Sequence, residues 1–253
     1  MRIASLGSGS RGNSTLIENE NTCILVDLGF TLKETLRRLK RLGRSPDDID
    51  AIIVTHEHRD HVGGVAPFAR KYSTPVYMTP GTYDCDQHGI LPSLHKVNCH
   101  RTFSIGGIGI EPVPVPHDAK EPCQYILSSA DTKIGILTDL GHITPHVELQ
   151  YQSCDALLLE CNHDPGMLAD GPYPYPLKKR VGGTHGHLSN EQAAKLVEKV
   201  DLGRLQHLVM SHISEKNNLP QLASEAMHPV LCDWSGTSYL ADQQDGINWI
   251  EVE

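Results

Sequence analysis

The chain opens with short apolar runs separated by turn residues. Ile3 to Leu6, Ser14 to Glu18 and Cys23 to Asp27 carry the aliphatic and β-branched residues that predict strands, and Asn19-Glu20-Asn21 makes a hairpin turn. From Thr31 the period lengthens. Leu32, Leu36 and Leu39 at i, i+4 and i+7 predict a helix through Leu42, stopped by Gly43. Lys33, Arg37, Arg38, Lys40 and Arg41 fill its opposite face, which is expected to be solvated. Ala51 to Val54 then predicts a buried strand, Val65 to Tyr72 a helix, and Pro75 to Met78 another strand.

The middle of the chain is rich in proline and glycine, with short strands expected around Ile108 to Val115, Gln124 to Ser128 and Lys133 to Leu137. A helix near Pro145 to Gln152 precedes the apolar run Ala156 to Glu160. Ser189 and Gln192 match a capping box, so a helix is expected from there to about Val200. His207 to Met210 reads as a last buried strand, followed by a short helix beyond Pro220. Strands alternating with helices predict an α/β architecture, and a strand-rich half ending in helix, strand and histidine occurs roughly twice.

Length and composition narrow this picture. The 253 residues suit one α/β domain spanning 1–253, and the hydrophobic fraction of 39% contains nothing approaching a membrane-spanning run. The N-terminal residues enter a strand pattern at once instead of the charged-then-apolar shape of an export signal. Seven cysteines without CxxC pairing, several in apolar runs, are the usage of a reducing compartment, so a cytoplasmic protein is expected. A net charge of −9 excludes a uniformly basic nucleic-acid coat. It leaves room for a nucleic-acid substrate held by metal ions and a local basic patch.

The chemistry is concentrated in Thr55-His56-Glu57-His58-Arg59-Asp60-His61. Behind a buried strand, His56 and His58 project the same way and can grip one ion, while Asp60 and His61, beyond a turn, can serve a second. Imidazole nitrogens with carboxylate oxygens suit zinc and tolerate manganese or iron. His117, Asp139 and His212 each end a predicted strand, where a rigid sheet can present ligands to one cleft.

In that order these residues resemble the metallo-β-lactamase-fold hydrolases. The resemblance implies a four-layer αβ/βα sandwich of two mixed sheets flanked by helices. It implies two divalent ions, one held by His56, His58 and His117, the other by Asp60, His61 and His212, with Asp139 bridging. Asp60 and Asp139 thereby belong to the catalytic set. Gly186-His187-Leu188-Ser189, just before the capped helix, resembles the ribonuclease Z-like phosphodiesterases, in which such a histidine contacts the scissile phosphate and protonates the leaving group. That role falls here on His187, and a structural histidine at the helix start is the other reading.

Gly7-Ser8-Gly9-Ser10-Arg11-Gly12-Asn13-Ser14 fits a dinucleotide fingerprint by letter, but a strand pattern follows it instead of a helix. It reads instead as a glycine turn whose amides touch phosphate, with Ser10 and Asn13 as substrate contacts. Together with Glu160-Cys161-Asn162-His163-Asp164 and Ser211-His212-Ile213-Ser214 it resembles the YycJ/WalJ branch. That branch is associated with 5′-to-3′ exonuclease action on DNA and lacks the inserted nucleic-acid-gripping domain of ribonuclease J-like enzymes, as does this chain. His163 is placed as a substrate or supporting contact, and Lys178 and Lys179, in a loop rich in proline and tyrosine, as phosphate-backbone contacts. The readings that remain are a nuclease, a phosphodiesterase for a small cyclic phosphate, a lactone or thioester hydrolase, and a non-catalytic metal-binding protein. A homodimer is also expected.

Overall fold

A computed structural model describes the backbone of residues 1–253 and the side chains other than that of Gln87. The first half runs β1 (Arg2–Gly7), β2 (Ser14–Glu18), β3 (Cys23–Val26), α1 (Leu32–Arg41), β4 (Ala51–Ile53), α2 (Arg59–Val62), α3 (Val65–Tyr72), β5 (Val76–Met78), α4 (Cys85–His88) and β6 (Leu94–Lys96). The second begins β7 (Phe103–Ile105), β8 (Ile108–Pro114), β9 (Cys123–Ser129), β10 (Thr132–Leu137), α5 (Pro145–Tyr151), β11 (Ala156–Glu160), α6 (Pro165–Asp170) and α7 (Tyr175–Val181). It closes with α8 (Asn190–Val197), β12 (His207–Ser211), α9 (Pro220–Leu231), β13 (Thr237–Leu240) and β14 (Ile247–Glu251).

Two seven-stranded sheets result, ordered β14-β1-β2-β3-β4-β5-β6 and β13-β12-β11-β10-β9-β8-β7. Each is antiparallel on one side and parallel on the other. In the first, β3, β4, β5 and β6 run parallel. In the second, β10, β11, β12 and β13 do. The last strand returns to pair antiparallel with β1, Ile3 opposite Ile250.

Alternation of side chains gives each sheet two apolar faces and hence four layers. The inner faces meet through Ile24, Val26 and Ile53 from one sheet and Tyr125, Ile136 and Leu158 from the other. The first sheet's outer face packs under Leu39 of α1 and Phe68 of α3. The second sheet's outer face packs under Val147 of α5, Leu196 of α8 and Met227 of α9. This is the four-layer αβ/βα sandwich. Among the described residues no helix is long and apolar enough to cross a membrane.

The sequence reading differs from the fold in three places. Arg38, expected in solvent on α1, is buried at 4% exposure. Its Nη1 donates to the Leu6 and Gln243 carbonyls at 2.6 and 3.0 Å, its Nε pairs with Glu34 and its plane lies over the Phe30 ring, and these contacts offset its burial. The segment holding Lys178 and Lys179, expected as a loop, is helix α7, because Pro176 sits in its first turn, where proline costs no hydrogen bond. The strands β6, β7, β13 and β14 and the helices α2, α4 and α6 lie where no element was expected.

Candidate metal centre

Ligands in open parallel sheets collect beyond the carboxyl ends of the strands, and this fold has two such ends facing one cleft. Val26 pairs with Ile53, which brings Asp27 level with the Thr55–His61 loop. Glu160 pairs with Ser211, which sets it beside His212. Asp27, Asp139 and His212 leave their strands with φ of 60°, 53° and 53°, in the left-handed region that non-glycine residues rarely adopt. Such strain costs on the order of 1–3 kcal/mol per residue and persists where the surroundings over-determine it.

The hydrogen bonds decide which ring nitrogens face the centre. Thr55 donates its hydroxyl to Asp27 Oδ2 at 2.8 Å, so its lone pairs accept from His56 Nδ1 at 3.0 Å. His61 Nδ1 donates to the same Asp27 oxygen at 2.8 Å. His117 Nδ1 donates to the Gly186 carbonyl at 3.0 Å, and His212 Nδ1 lies 3.2 Å from Glu160 Oε1. Each acceptor assigns the proton to Nδ1 and leaves Nε2 as a bare lone pair. These are the tautomers a divalent ion requires.

The bare atoms converge. His58 Nδ1 stands 3.2 Å from His117 Nε2, and the ligand atoms of His56, His58 and His117 all fall within 4.8 Å of one another. The same spacing holds for Asp60, His61 and His212. Asp139 stands between the sets: its carboxylate is 3.2 Å from His61 Nε2, 3.6 Å from His212 Nε2 and 4.0 Å from His117 Nε2. Among the described residues His56 Nε2 and His212 Nε2 are buried without a hydrogen-bond partner, an expensive arrangement unless a cation takes the lone pairs.

The electrostatics agree with the donor geometry. Burial alone would depress His212, yet the Asp139, Asp60 and Glu160 carboxylates push it up to about 10. Burial raises the Asp139 carboxyl, but His212 and His61 hold it well below the usual range. His56 moves the other way, lowered by burial and by its cationic neighbours, so it stays neutral. A cluster of carboxylates that draws protons onto histidines at neutral pH is one that a metal cation would occupy in their place. The residues present therefore fit two ions.

His187 is tied into the same network from behind. Its Nδ1 donates to Glu160 Oε1 at 2.7 Å, and its ring stacks on His212 with centroids 5.3 Å apart. Glu160 is fully buried and accepts at its second oxygen from the Leu140 and Leu188 amides at 3.2 and 3.1 Å. Burial opposes its ionisation, but His187 and His212 hold it at about 2. Asp139, Glu160, His187 and His212 also lie close enough to suggest a further ion. Because Glu160 meets both rings through Nδ1–H donors, it serves as a buttress and not as a ligand.

A model of the β-lactamase superfamily domain matches residues 22–213. Exodeoxyribonuclease YycJ of Bacillus anthracis is 34% identical over 237 residues, covering 91% of this chain and 89% of the relative. Exodeoxyribonuclease WalJ of Streptococcus pneumoniae is 35% identical over 228 residues, covering 88% and 85%. The chain belongs to the metallo-β-lactamase superfamily, within its YycJ/WalJ family. The short form of human tRNase Z shares the fold, with a TM-score of 0.70 at 18% identity over the whole of both chains.

Within this YycJ/WalJ fold the expected contact residues separate. Asn13 adjoins the centre, its carboxamide 3.1 Å from His61 Nε2 and 3.4 Å from Asp60 Oδ2. Except at Ser10, the amides around it, which the sequence reading expected to touch phosphate, are engaged within the protein. Gly9 N–H donates to Asn13 Oδ1 and Arg11 N–H to Gln243 Oε1, while Ser8, Gly12 and Asn13 donate to backbone carbonyls. The turn instead aims the Asn13 side chain. Ser10 is exposed and lines a cleft of ≈ 510 Å³ that reaches Asp60. His163 is buried at the start of α6, and burial lowers its imidazole to about 4. Lys179 is exposed on α7, and Lys178 donates to the Ala169 carbonyl. The member of that basic run tied to the centre is Arg180, paired with Asp118, whose carboxylate lies 3.4 Å from His117 Nε2.

Asp27, Thr55, Glu160 and Asp118 are the functional side chains that the sequence reading left without roles. Asp27 and Glu160 had the signal already used for Asp139, an acid closing a buried strand.

Proposed function

We propose that this chain is a two-metal phosphodiesterase that removes nucleotides from DNA ends in the 5′-to-3′ direction. The observation that carries the reading is the Glu160–His187 pair beside the doubled ligand set. A centre built only to hold ions has no use for an imidazole whose Nδ1 is fixed by a buried carboxylate while Nε2 remains to meet a substrate. The names of the two relatives, exodeoxyribonucleases aligned over most of their length, support DNA as the polymer.

When bound, the ions supply Lewis-acid polarisation and a water acidic enough to ionise near neutral pH. The chain's own residues do the rest. Asp60, Asp139 and the five imidazoles would hold the two ions at the rim of one cleft. Asn13 offers its carboxamide beside Asp60, where it can orient a phosphate oxygen. His187 carries a proton at Nε2 for the departing alkoxide. Glu160 keeps it there: burial would strip the imidazole, but the carboxylate beside Nδ1 raises its pKa above the ordinary value. Zinc fits the mixed nitrogen and oxygen donors, and manganese or iron can take the same set. All seven cysteines are free thiols, which supports a cytoplasmic setting.

The test is cleavage of end-labelled single- and double-stranded DNA by the natural chain and by Asp139→Ala. Mononucleotides released from the 5′ end by the natural chain alone are expected. Equal rates from both proteins, or release from the 3′ end, would remove the proposal.

A further inference from the structure

Beyond Asp60 the ≈ 510 Å³ cleft continues away from the ligands, walled by the Gly7–Asn13 turn, Phe30 and Thr31 at the start of α1, and Arg59 on α2. Three arginines and two carboxylates line it. Glu34 is committed to Arg37 and Arg38, and Asp60 faces His61 and His212. Arg38 is buried, with Nη1 held by the Leu6 and Gln243 carbonyls and Nε by Glu34. Two guanidinium groups are left for a ligand. Arg59 is exposed and makes no ion pair among the described residues, although it stands between two metal-ligand candidates. Arg11 pairs only with Glu215 at the surface, where both side chains are about half exposed and solvent screens such a pair.

We propose that this cleft holds the nucleotide next to the scissile phosphate in single-stranded DNA, with Arg59 and Arg11 each gripping one of the next two backbone phosphates. The inference rests on the phosphodiesterase reading above. In a chain of net charge −9 a pair of exposed arginines beside the centre is a local exception, and a phosphate exchanges readily for Glu215 on Arg11. The Phe30 face is already covered by Arg38, so no aromatic platform is open to a base there. Recognition through phosphate alone carries no sequence information, so the cleft should accept any base.

The experiment measures binding of a fluorescent single-stranded DNA with phosphorothioate linkages to the metal-loaded protein across a salt series, while cleavage of ordinary labelled DNA is followed in parallel. Removing two phosphate contacts should lower the slope of log K against log salt by about 1.4. Arg11→Ala/Arg59→Ala should show that decrease with binding weakened about tenfold or more at low salt, and Arg59→Lys should restore most of the slope. Lys195→Ala, exposed on α8, serves as the control and should keep the natural slope. Elemental analysis checks that the variants keep their ions. Should alanine at 59 cost metal, Arg11→Ala alone decides, since it lies on a turn that supplies no ligand. An unchanged slope in Arg11→Ala or in the double variant, with DNA still cleaved by the natural chain, overturns the cleft and leaves the phosphodiesterase reading intact. Failure of the natural chain to cleave DNA removes both.

Discussion

Asp27 Oδ2 and His61 Nδ1 are 2.8 Å apart, and both side chains are almost fully buried. The same carboxylate takes the Thr55 amide and hydroxyl, each at 2.8 Å, so one acid fixes the tautomers of His61 directly and of His56 through Thr55. Asp27→Asn keeps the shape and tolerates the left-handed backbone but weakens the acceptor. We expect metal affinity to fall about 10–100-fold, the usual cost of losing a carboxylate behind a ligating histidine. Calorimetric titration of chelator-stripped protein measures it. Natural affinity in the variant would mean that Asp27 only packs.

The Glu160–His187 pair predicts a dependence on the leaving group. A DNA alkoxide needs a proton as it departs, whereas p-nitrophenolate leaves without one. His187→Ala should therefore lose about 10²–10⁴-fold in kcat on DNA and far less on bis-p-nitrophenyl phosphate. Glu160→Gln should follow the same pattern more weakly. Equal losses on both substrates would make His187 a positioning residue for the ions.

The candidate ligand pattern was legible in the sequence because its chemistry is local: His56, His58, Asp60 and His61 fall within six residues between β4 and the end of α2, and His117, Asp139 and His212 follow apolar strands. What could not be read depends on contacts across the chain. Arg38 looked solvated because its helical period puts it opposite Leu32 and Leu36, yet the returning C-terminal segment brings the Gln243 carbonyl onto it. The strand β14 is specified by pairing with β1 some 250 residues away in sequence. Helices α6 and α7 were hidden by prolines that mark their first turns, Pro165 and Pro176, and that by composition suggest loops.

Glu34 gives the fold a defined acid response. Two arginines, with Arg37 as the leading partner and burial opposing, hold its carboxyl at about 2 against an ordinary 4.5. A carboxyl lowered in the folded state adds stability that is fully present above the ordinary value and is lost as pH falls through the folded one. Thermal unfolding of Glu34→Gln should thus lie below the natural chain at pH 6, converge with it between pH 4.5 and 2, and coincide below about pH 2. A constant gap across that range would show that the pair contributes through packing alone.

Gly29 sets the position of Asp60 by contact between backbones. A Cβ at residue 29 would stand 1.8 Å from the Asp60 carbonyl oxygen and 2.4 Å from its carbon. Neither atom can yield freely, because Asn13 donates its amide to that carbonyl at 2.8 Å and accepts from the Gly29 amide at 3.0 Å. Gly29→Ala must push α2 outward, and Asp60 and His61 move with it. We expect a stability loss of about 3 kcal/mol and a loss of metal chiefly from the Asp60, His61 and His212 position. Gly43→Ala is the contrast. Its φ of +69° strains an alanine, but nothing lies within 4 Å of the added carbon, so stability should drop by about 1 kcal/mol with the natural metal content kept. Elemental analysis beside denaturant unfolding separates the two, and a Gly29→Ala protein that retains a full complement of ions would show that the Asp60 loop shifts without cost to the centre.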